Sequence, residues 1–371
     1  MTQSLIGQLE TPCLVLQMEK VRENILSMQQ AADAAGCRLR PHIKTHKMKL
    51  FARMQMRAGA AGITCAKVSE AEVMADGGLE DIFIAYPLVG DFRIRRALQL
   101  QRRISRLILA LDSLEGARAL DEAARAAGTV FEVRLEVDTG ALRTGICRAQ
   151  AAGLAKAVAA LPGLRLTGIY TFKSLVYQGA PTTDGLLAAR EEGELMQQVA
   201  AEIREAGVKI SDISAGSSPT GAAVAATGMV NEIRPGTYIF KDYMLVKEGA
   251  ARMEEIAARI FVTVVSTPRP DYAVIDGGTK TFPMDIPLNA PPYFYPGYAI
   301  AEGNSDLMLT RMNEEHGMLV SARGETGLRV GQKLALIPIH ICTALNMQNQ
   351  VYLCDGGQLS VERVDARGML V

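Results

Sequence analysis

Apolar runs of strand length alternate with amphipathic stretches over the first two thirds of the chain. After Thr11-Pro12, the run Cys13-Leu14-Val15-Leu16 predicts a strand. Val21, Ile25, Met28 and Ala32 then recur at helical spacing between Met18 and Ala35, and Gly36 offers a C-cap. Eight more strand-sized runs follow, around Leu39 and at 62–65, 81–85, 107–111, 131–137, 166–170, 210–213 and 232–234. The segments between them are rich in Ala, Leu, Glu and Arg, and Ser69-Glu70-Ala71-Glu72 has capping-box spacing at one helix start. Eight strands separated by helices match the count of a (β/α)8 TIM barrel, where a helical crossover joins each parallel strand to the next. A doubly wound open sheet shares this alternation, so the placement of the chemistry has to decide.

Beyond about Glu248 the texture changes. Residues 260–265, the turn Pro268-Arg269-Pro270-Asp271 and residues 272–275 read as a hairpin. Short apolar runs follow at 318–320, 333–337, 350–353 and 359–361, with glycine-rich turns such as Asp355-Gly356-Gly357. This predicts an all-β domain, barrel-like and small. The expected division is a TIM barrel over residues 18–245, with residues 1–17 and 246–371 forming the β-domain. Residues 283–303, with their Pro, Tyr and Asn, predict a long loop of the kind that often carries function.

Composition narrows the partners. Forty basic and forty acidic residues cancel, which argues against nucleic acid or an anionic membrane surface and points to a small molecule. No apolar run reaches membrane-spanning length, and the N-terminal stretch lacks a basic-then-apolar signal pattern, so the expected location is cytoplasmic. Cys13, Cys37, Cys65, Cys147, Cys342 and Cys354 lie scattered without framework spacing, and most are expected to be buried thiols.

Five stretches could carry chemistry. In Arg40-Pro41-His42-Ile43-Lys44-Thr45-His46-Lys47, two histidines and two lysines sit just past a predicted strand, where a β/α unit places reactive groups. A lysine whose cationic neighbours depress its pKa suits Schiff-base formation with an aldehyde, and Lys44 is the candidate. After the fifth strand, Asp138-Thr139-Gly140-Ala141-Leu142-Arg143-Thr144-Gly145 brings backbone and Arg143 within reach of a ligand. After the seventh and eighth, Ser214-Ala215-Gly216-Ser217-Ser218-Pro219-Thr220-Gly221 and Arg234-Pro235-Gly236-Thr237-Tyr238 offer small residues and hydroxyls for a phosphate. Neither stretch has a Walker lysine or a GxGxxG pattern, so nucleotides are disfavoured. Finally, alternation along a predicted strand puts His340 and Cys342 on one face, a ligand pair suited to zinc or a similar divalent ion. His316 is a further candidate nearby in sequence.

Taken together, these stretches resemble the D-threonine aldolase and eukaryotic-type D-serine dehydratase family. The resemblance is carried by Arg40 to Lys47, Ala66-Lys67-Val68-Ser69-Glu70-Ala71-Glu72, Glu232 to Tyr238, Glu315-His316-Gly317 and Pro338 to Cys342. It implies an alanine-racemase type of pyridoxal-phosphate fold, with a TIM barrel carrying the cofactor, a C-terminal β-domain completing the site, and a homodimer. It implies that Lys44 is the Schiff-base lysine and that Arg143 partners the cofactor's phenolic oxygen. Gly216, Ser217, Ser218, Gly236, Thr237 and Tyr238 would hold the phosphate, and Tyr170 would stand close to the pyridine ring. His340 and Cys342 would bind a divalent ion (zinc, manganese or magnesium), with His42 and His340 joining Lys44 as catalytic groups.

The activity so implied is a lyase on D-3-hydroxy amino acids, D-threonine aldolase-like. A D-serine or D-threonine dehydratase uses the same residues, and an amino-acid racemase is a further alternative on this fold. One departure stands out. Where many relatives carry Gly-His-Ser/Thr-Tyr, this chain reads Tyr170-Thr171-Phe172-Lys173-Ser174-Leu175-Val176-Tyr177, and Lys173 becomes a candidate for binding a substrate carboxylate.

Overall fold

A computed structural model describes residues 3–371 and divides them into two compact units. One holds Leu26–Gly236 together with Met369–Val371; the other holds Thr237–Gly368 together with the stretch up to Ile25.

In the first unit eight parallel strands follow one another around a barrel. They are Arg38–Leu39, Ile63–Cys65, Asp81–Pro87, Arg106–Leu111, Phe131–Asp138, Leu164–Tyr170, Asp212–Ala215 and Glu232–Ile233. From the second onward each pairs in parallel with the next in the chain, and the last pairs back onto the first through Glu232↔Arg38 and Ile233↔Leu39. The seam between the first two is closed by a parallel bridge between His42 and Thr64, where the Thr64 N–H donates to the Pro41 carbonyl at 2.8 Å. Closure leaves no edge to template other chains. It also settles the choice between barrel and open sheet, as the sequence count predicts.

The amino-terminal end of this barrel is filled by charge rather than by the branched apolar layers usual in the fold. Arg134 donates to Glu232 and, at 2.8 Å, to Asp212, while Arg40 donates to Glu232 at 2.9 Å and to Asp81 at 2.6 Å. Arg106 and Arg165 converge on Glu132. Burial would raise the Glu232 carboxyl, but Arg134 and Arg40 hold it well below the usual carboxylate range. Such a network stabilises only while complete, because a removed partner leaves a buried charge unpaired. Glu232→Gln is expected to cost about 3–5 kcal/mol, read as a lower urea midpoint. Since the folded pKa is depressed, this contribution is present above the unfolded carboxylate pKa and is lost as pH falls through the folded value. The variant should therefore also show a flatter fall in stability at acid pH.

The helices pack outside. Helix Val68–Asp76 begins earlier than the capping-box spacing predicts: Lys67 is the N-cap, and Glu70 reaches back to accept the Ala66 N–H. Ser69 lies inside the helix and bonds the Val371 carbonyl, so it is not a cap.

The second unit is built on a closed six-stranded antiparallel barrel. Its strands pair in the order Ala258–Arg269, Tyr272–Ile275, Gly317–Ser321, Asn304–Met312, Ala299–Ala301 and Lys333–Pro338, and the last returns to the first. The sheet continues from Ala258–Arg269 through Cys13–Gln17, Gln350–Asp355 and Gln358–Arg363. Ile256, Ile300 and Ile337 form one buried apolar cluster in it, and Leu9, Cys13, Val15 and Phe261 another. Of the six cysteines, all free, only Cys13, Cys37 and Cys65 are buried, fewer than their scattered spacing suggests. No helix among the described residues is long and apolar enough to cross a membrane.

Candidate active site

The carboxyl ends of the barrel strands gather most of the candidates. The first strand runs out into a single 3-10 turn, Ile43–Thr45, with Lys44 at its centre. The His42 side chain caps this turn, its Nδ1 accepting the Lys44 N–H at 3.4 Å. Burial and then the charge of Lys44 push the His42 ring well below its ordinary pKa, so it is a neutral acceptor. On the other flank, the buried His46 ring accepts the Met48 N–H at 3.1 Å and faces Gln55 at 3.2 Å. Lys47, at positive φ, is held by Glu70 at 3.0 Å and by the Met369 carbonyl at 3.3 Å. The two histidines and Lys47 thus fix the backbone on both sides of Lys44.

After the fifth strand, the Asp138 carboxylate accepts the N–H groups of Gly140 (2.9 Å) and Leu142 (3.2 Å), which shapes the loop that presents Arg143. The Arg143 guanidinium lies 4.5 Å from the Phe172 ring centroid, and the Lys44 ammonium lies 5.8 Å from the same centroid. Tyr170, which ends the sixth strand, is buried against Phe83 at 5.0 Å, with Arg234 over its ring at 5.1 Å. Its hydroxyl donates to Glu136 at 2.9 Å, and burial raises the Glu136 carboxyl.

The serine-rich loop after the seventh strand is crowded in the way a phosphate cradle requires. Gly216 has φ +84°, and a Cβ there would stand 2.7 Å from the Val224 side chain. A Cβ on Gly236 would stand 3.0 Å from both the His42 carbonyl and the Thr45 hydroxyl. Ser217 and Thr220 hydroxyls lie 3.1 Å apart, Ser218 accepts the Gly236 N–H at 3.2 Å, and the Gly216 N–H donates to Glu192 at 3.2 Å. Small residues, hydroxyls and a helix start, with Lys44 and Arg143 as the cations of the same unit, are a donor set that fits a phosphorylated aldehyde.

Lys173 is committed within the protein rather than left free for a substrate carboxylate. It is 1% exposed, and its ammonium pairs with Glu191 and the Ala188 carbonyl on helix Gly185–Glu205. Lys173→Met is expected to leave apparent substrate affinity unchanged and to lower stability by about 2 kcal/mol, read by thermal unfolding beside a substrate titration.

The remaining candidates lie in the second unit. The strand Lys333–Pro338 stops before His340, which is instead the N-cap of helix Ile341–Asn346. His340 and Cys342 do meet, through a side-chain hydrogen bond, but at the bend where the extended N-cap His340 enters the helix rather than by strand alternation. Asp285, from the long loop, accepts from His340 Nδ1 at 2.7 Å and from the Thr343 hydroxyl at 2.9 Å. The Thr237 hydroxyl lies 3.4 Å from Cys342 Sγ, while Tyr238 is buried. Behind them, Asp242 accepts the Ile341 N–H at 3.0 Å, and Tyr295 bonds Glu248, whose carboxyl burial pushes up to about 8. His316 stands exposed in a turn, and among the described residues no three His, Cys, Asp or Glu side chains gather as a metal site. A soft thiol beside an imidazole whose Nδ1 is taken by a carboxylate nevertheless fits a divalent ion, with Nε2 as the ligand atom.

Phe172, Asp285, Asp242, Glu248 and Tyr295 are absent from the sequence-based candidates. Asp285 and Tyr295 had a signal in their place in the long loop, and Phe172 in the divergent segment after the sixth strand; Asp242 and Glu248 had none.

Known proteins match over the same two units. The family described as alanine racemase, N-terminal domain, covers residues 16–244, and the serine dehydratase domain covers residues 257–354. D-threo-3-hydroxyaspartate dehydratase of Delftia sp. (strain HT23) is 32% identical, over 98% of this chain and 99% of its own. Its solved structure superposes with a TM-score of 0.87 over 96% of this chain and 98% of that one. A cysteine-to-alanine variant of that enzyme has been solved in a metal-free form. D-threonine aldolase of Arthrobacter sp is 29% identical, over 98% of this chain and 94% of its own. The crystal structure of D-threonine aldolase from Filomicrobium marinum gives a TM-score of 0.87 at 28% identity, over 98% of this chain and 97% of that one.

Proposed function

The chain belongs to the family of pyridoxal-phosphate lyases that joins an alanine racemase N-terminal domain to a serine dehydratase domain, and from that premise we propose that it cleaves D-3-hydroxy amino acids as a D-threonine aldolase does. The observation that carries the reading is the Lys44 turn. A lysine fixed on both flanks stands at the strand ends of a barrel that also presents Arg143 and a glycine-hydroxyl loop.

Pyridoxal phosphate bound there supplies a sink for the electron pair left at the substrate's α-carbon. Lys44 would hold its aldehyde carbon, Arg143 its phenolic oxygen, and Gly216, Ser217, Ser218, Gly236, Thr237 and Tyr238 its phosphate. Tyr170, locked by Glu136, would back the ring. A divalent ion on His340 and Cys342 would act as a Lewis acid on the substrate's 3-hydroxyl. His42, a neutral acceptor of the Lys44 backbone N–H, would join the catalytic groups by fixing the turn that presents the Lys44 side chain.

The bond that breaks decides the product. If the hydroxyl loses its proton, the Cα–Cβ bond opens and gives glycine and an aldehyde. If Lys44 takes the α-proton and the hydroxyl leaves as water, a keto acid and ammonia result. The dehydratase reading draws support from the 32% identity to the Delftia enzyme. Product analysis on D-threonine, D-serine and 3-hydroxy-D-aspartate, with and without divalent metal, tests the proposal. Glycine with aldehyde supports the aldolase, and keto acid with ammonia supports the dehydratase. Racemisation insensitive to chelator would overturn both.

A further inference from the structure

The segment after the sixth barrel strand is pinned twice and projects one ring between the pins. Thr171 donates its N–H to the Ser214 carbonyl at 3.1 Å, shares a 2.7 Å hydroxyl contact with Thr139, and accepts at its carbonyl from Arg234. Two residues on, the buried Lys173 is tied to Glu191 and the Ala188 carbonyl. Successive residues of an extended segment point to opposite sides. With Thr171 and Lys173 drawn into the protein, Phe172 is turned away from both, and both active-site cations stand within cation–π range of its ring.

Arg143 needs such a contact. Its loop backbone is set by Asp138, but the side chain is exposed, and among the described residues no carboxylate pairs with it at ion-pair distance. A guanidinium carries considerable rotamer entropy, and stacking on a flat ring removes it before any ligand arrives. An aliphatic side chain at this position would fill space without attracting the cation.

We propose that Phe172 is a positioning residue, a stacking platform that orients the Arg143 guanidinium for the cofactor's phenolic oxygen next to Lys44. The proposal rests on the pyridoxal-phosphate reading above, and its test separates the two. Phe172→Tyr keeps the ring; Phe172→Leu keeps apolar bulk and removes it. Both are made in the native chain and in Arg143→Met. The readouts are the cofactor's dissociation constant and the pH midpoint of the visible absorbance of the Lys44-linked cofactor.

Phe172→Leu is expected to weaken cofactor binding roughly three- to thirty-fold. It should also raise the pH midpoint, because a cation that wanders off opposes the protonated linkage less. Phe172→Tyr should behave as the native chain, and Phe172→Leu should add nothing in Arg143→Met, since residues acting through one contact couple fully. Native values in Phe172→Leu, or an undiminished effect in Arg143→Met, would overturn the proposal while the cofactor reading stands. A native chain that never develops the absorbance would overturn that reading and the proposal with it.

Discussion

Replacing Lys44 by alanine is expected to abolish the visible absorbance of bound pyridoxal phosphate and to lower turnover by roughly 10²–10⁴-fold from the lost proton transfer alone. The expectation follows from how the turn is built. Lys44 sits at the centre of a 3-10 turn whose start is capped by His42 and whose end is held by His46 and Lys47. The two buried lysines of the same unit, Lys47 and Lys173, are committed to Glu70 and Glu191 and cannot stand in. Lys44→Arg provides the control for charge: it keeps the cation but cannot form a Schiff base, so it should lose the absorbance as fully as alanine does. Apo-protein stability should be nearly unchanged in both, because the turn is fastened through backbone groups and neighbouring side chains. Retention of the absorbance in Lys44→Ala would place the cofactor on another lysine and sink the assignment.

Why the barrel was legible and parts of its site were not comes down to range. All eight barrel strands lie where the apolar runs place them, because each keeps an apolar face, as Phe131, Val133, Leu135 and Val137 do opposite the charged Glu132, Arg134 and Glu136, and the helices between strands must be amphipathic. The places of the Lys44, Arg143 and Gly216 stretches were legible for a related reason: each directly follows a strand, and local sequence says where strands end. What depends on distant partners left no local trace. Lys173 reads as an available cation until helix Gly185–Glu205 brings Glu191 against it. Phe172 reads as a lost polar residue until Arg143, almost thirty positions away, is found on its ring. Ser69 has the right spacing for a cap, yet the helix begins before it, with Glu70 bonding the Ala66 N–H. The pairing of His340 with Cys342 was foreseen for a wrong reason: the strand ends at Pro338, and the two meet where the extended N-cap His340 turns into the first turn of the helix.

Cys342→Ala should strip the divalent ion and the activity together while leaving the cofactor's visible absorbance in place. Asp285→Asn provides the scale. Losing a carboxylate that orients a ligating histidine costs roughly 10–100-fold in metal affinity, and losing the thiolate itself should cost more. Proton competition gives the reading a second handle. Burial alone would lower the His340 ring, but the Cys342 sulfur and then Asp285 lift it to about 11, so without metal the imidazole and thiol share protons that an incoming ion must displace. Metal affinity should therefore rise with pH in the native chain. That rise should weaken in Asp285→Asn, where the proton is held less tightly. Metal content by elemental analysis, set beside activity and the absorbance of each variant, decides the matter. An ion retained at native stoichiometry in Cys342→Ala would show that the ligands lie elsewhere. Loss of the absorbance together with the metal would show that the two clusters do not act as separate sites for cofactor and ion.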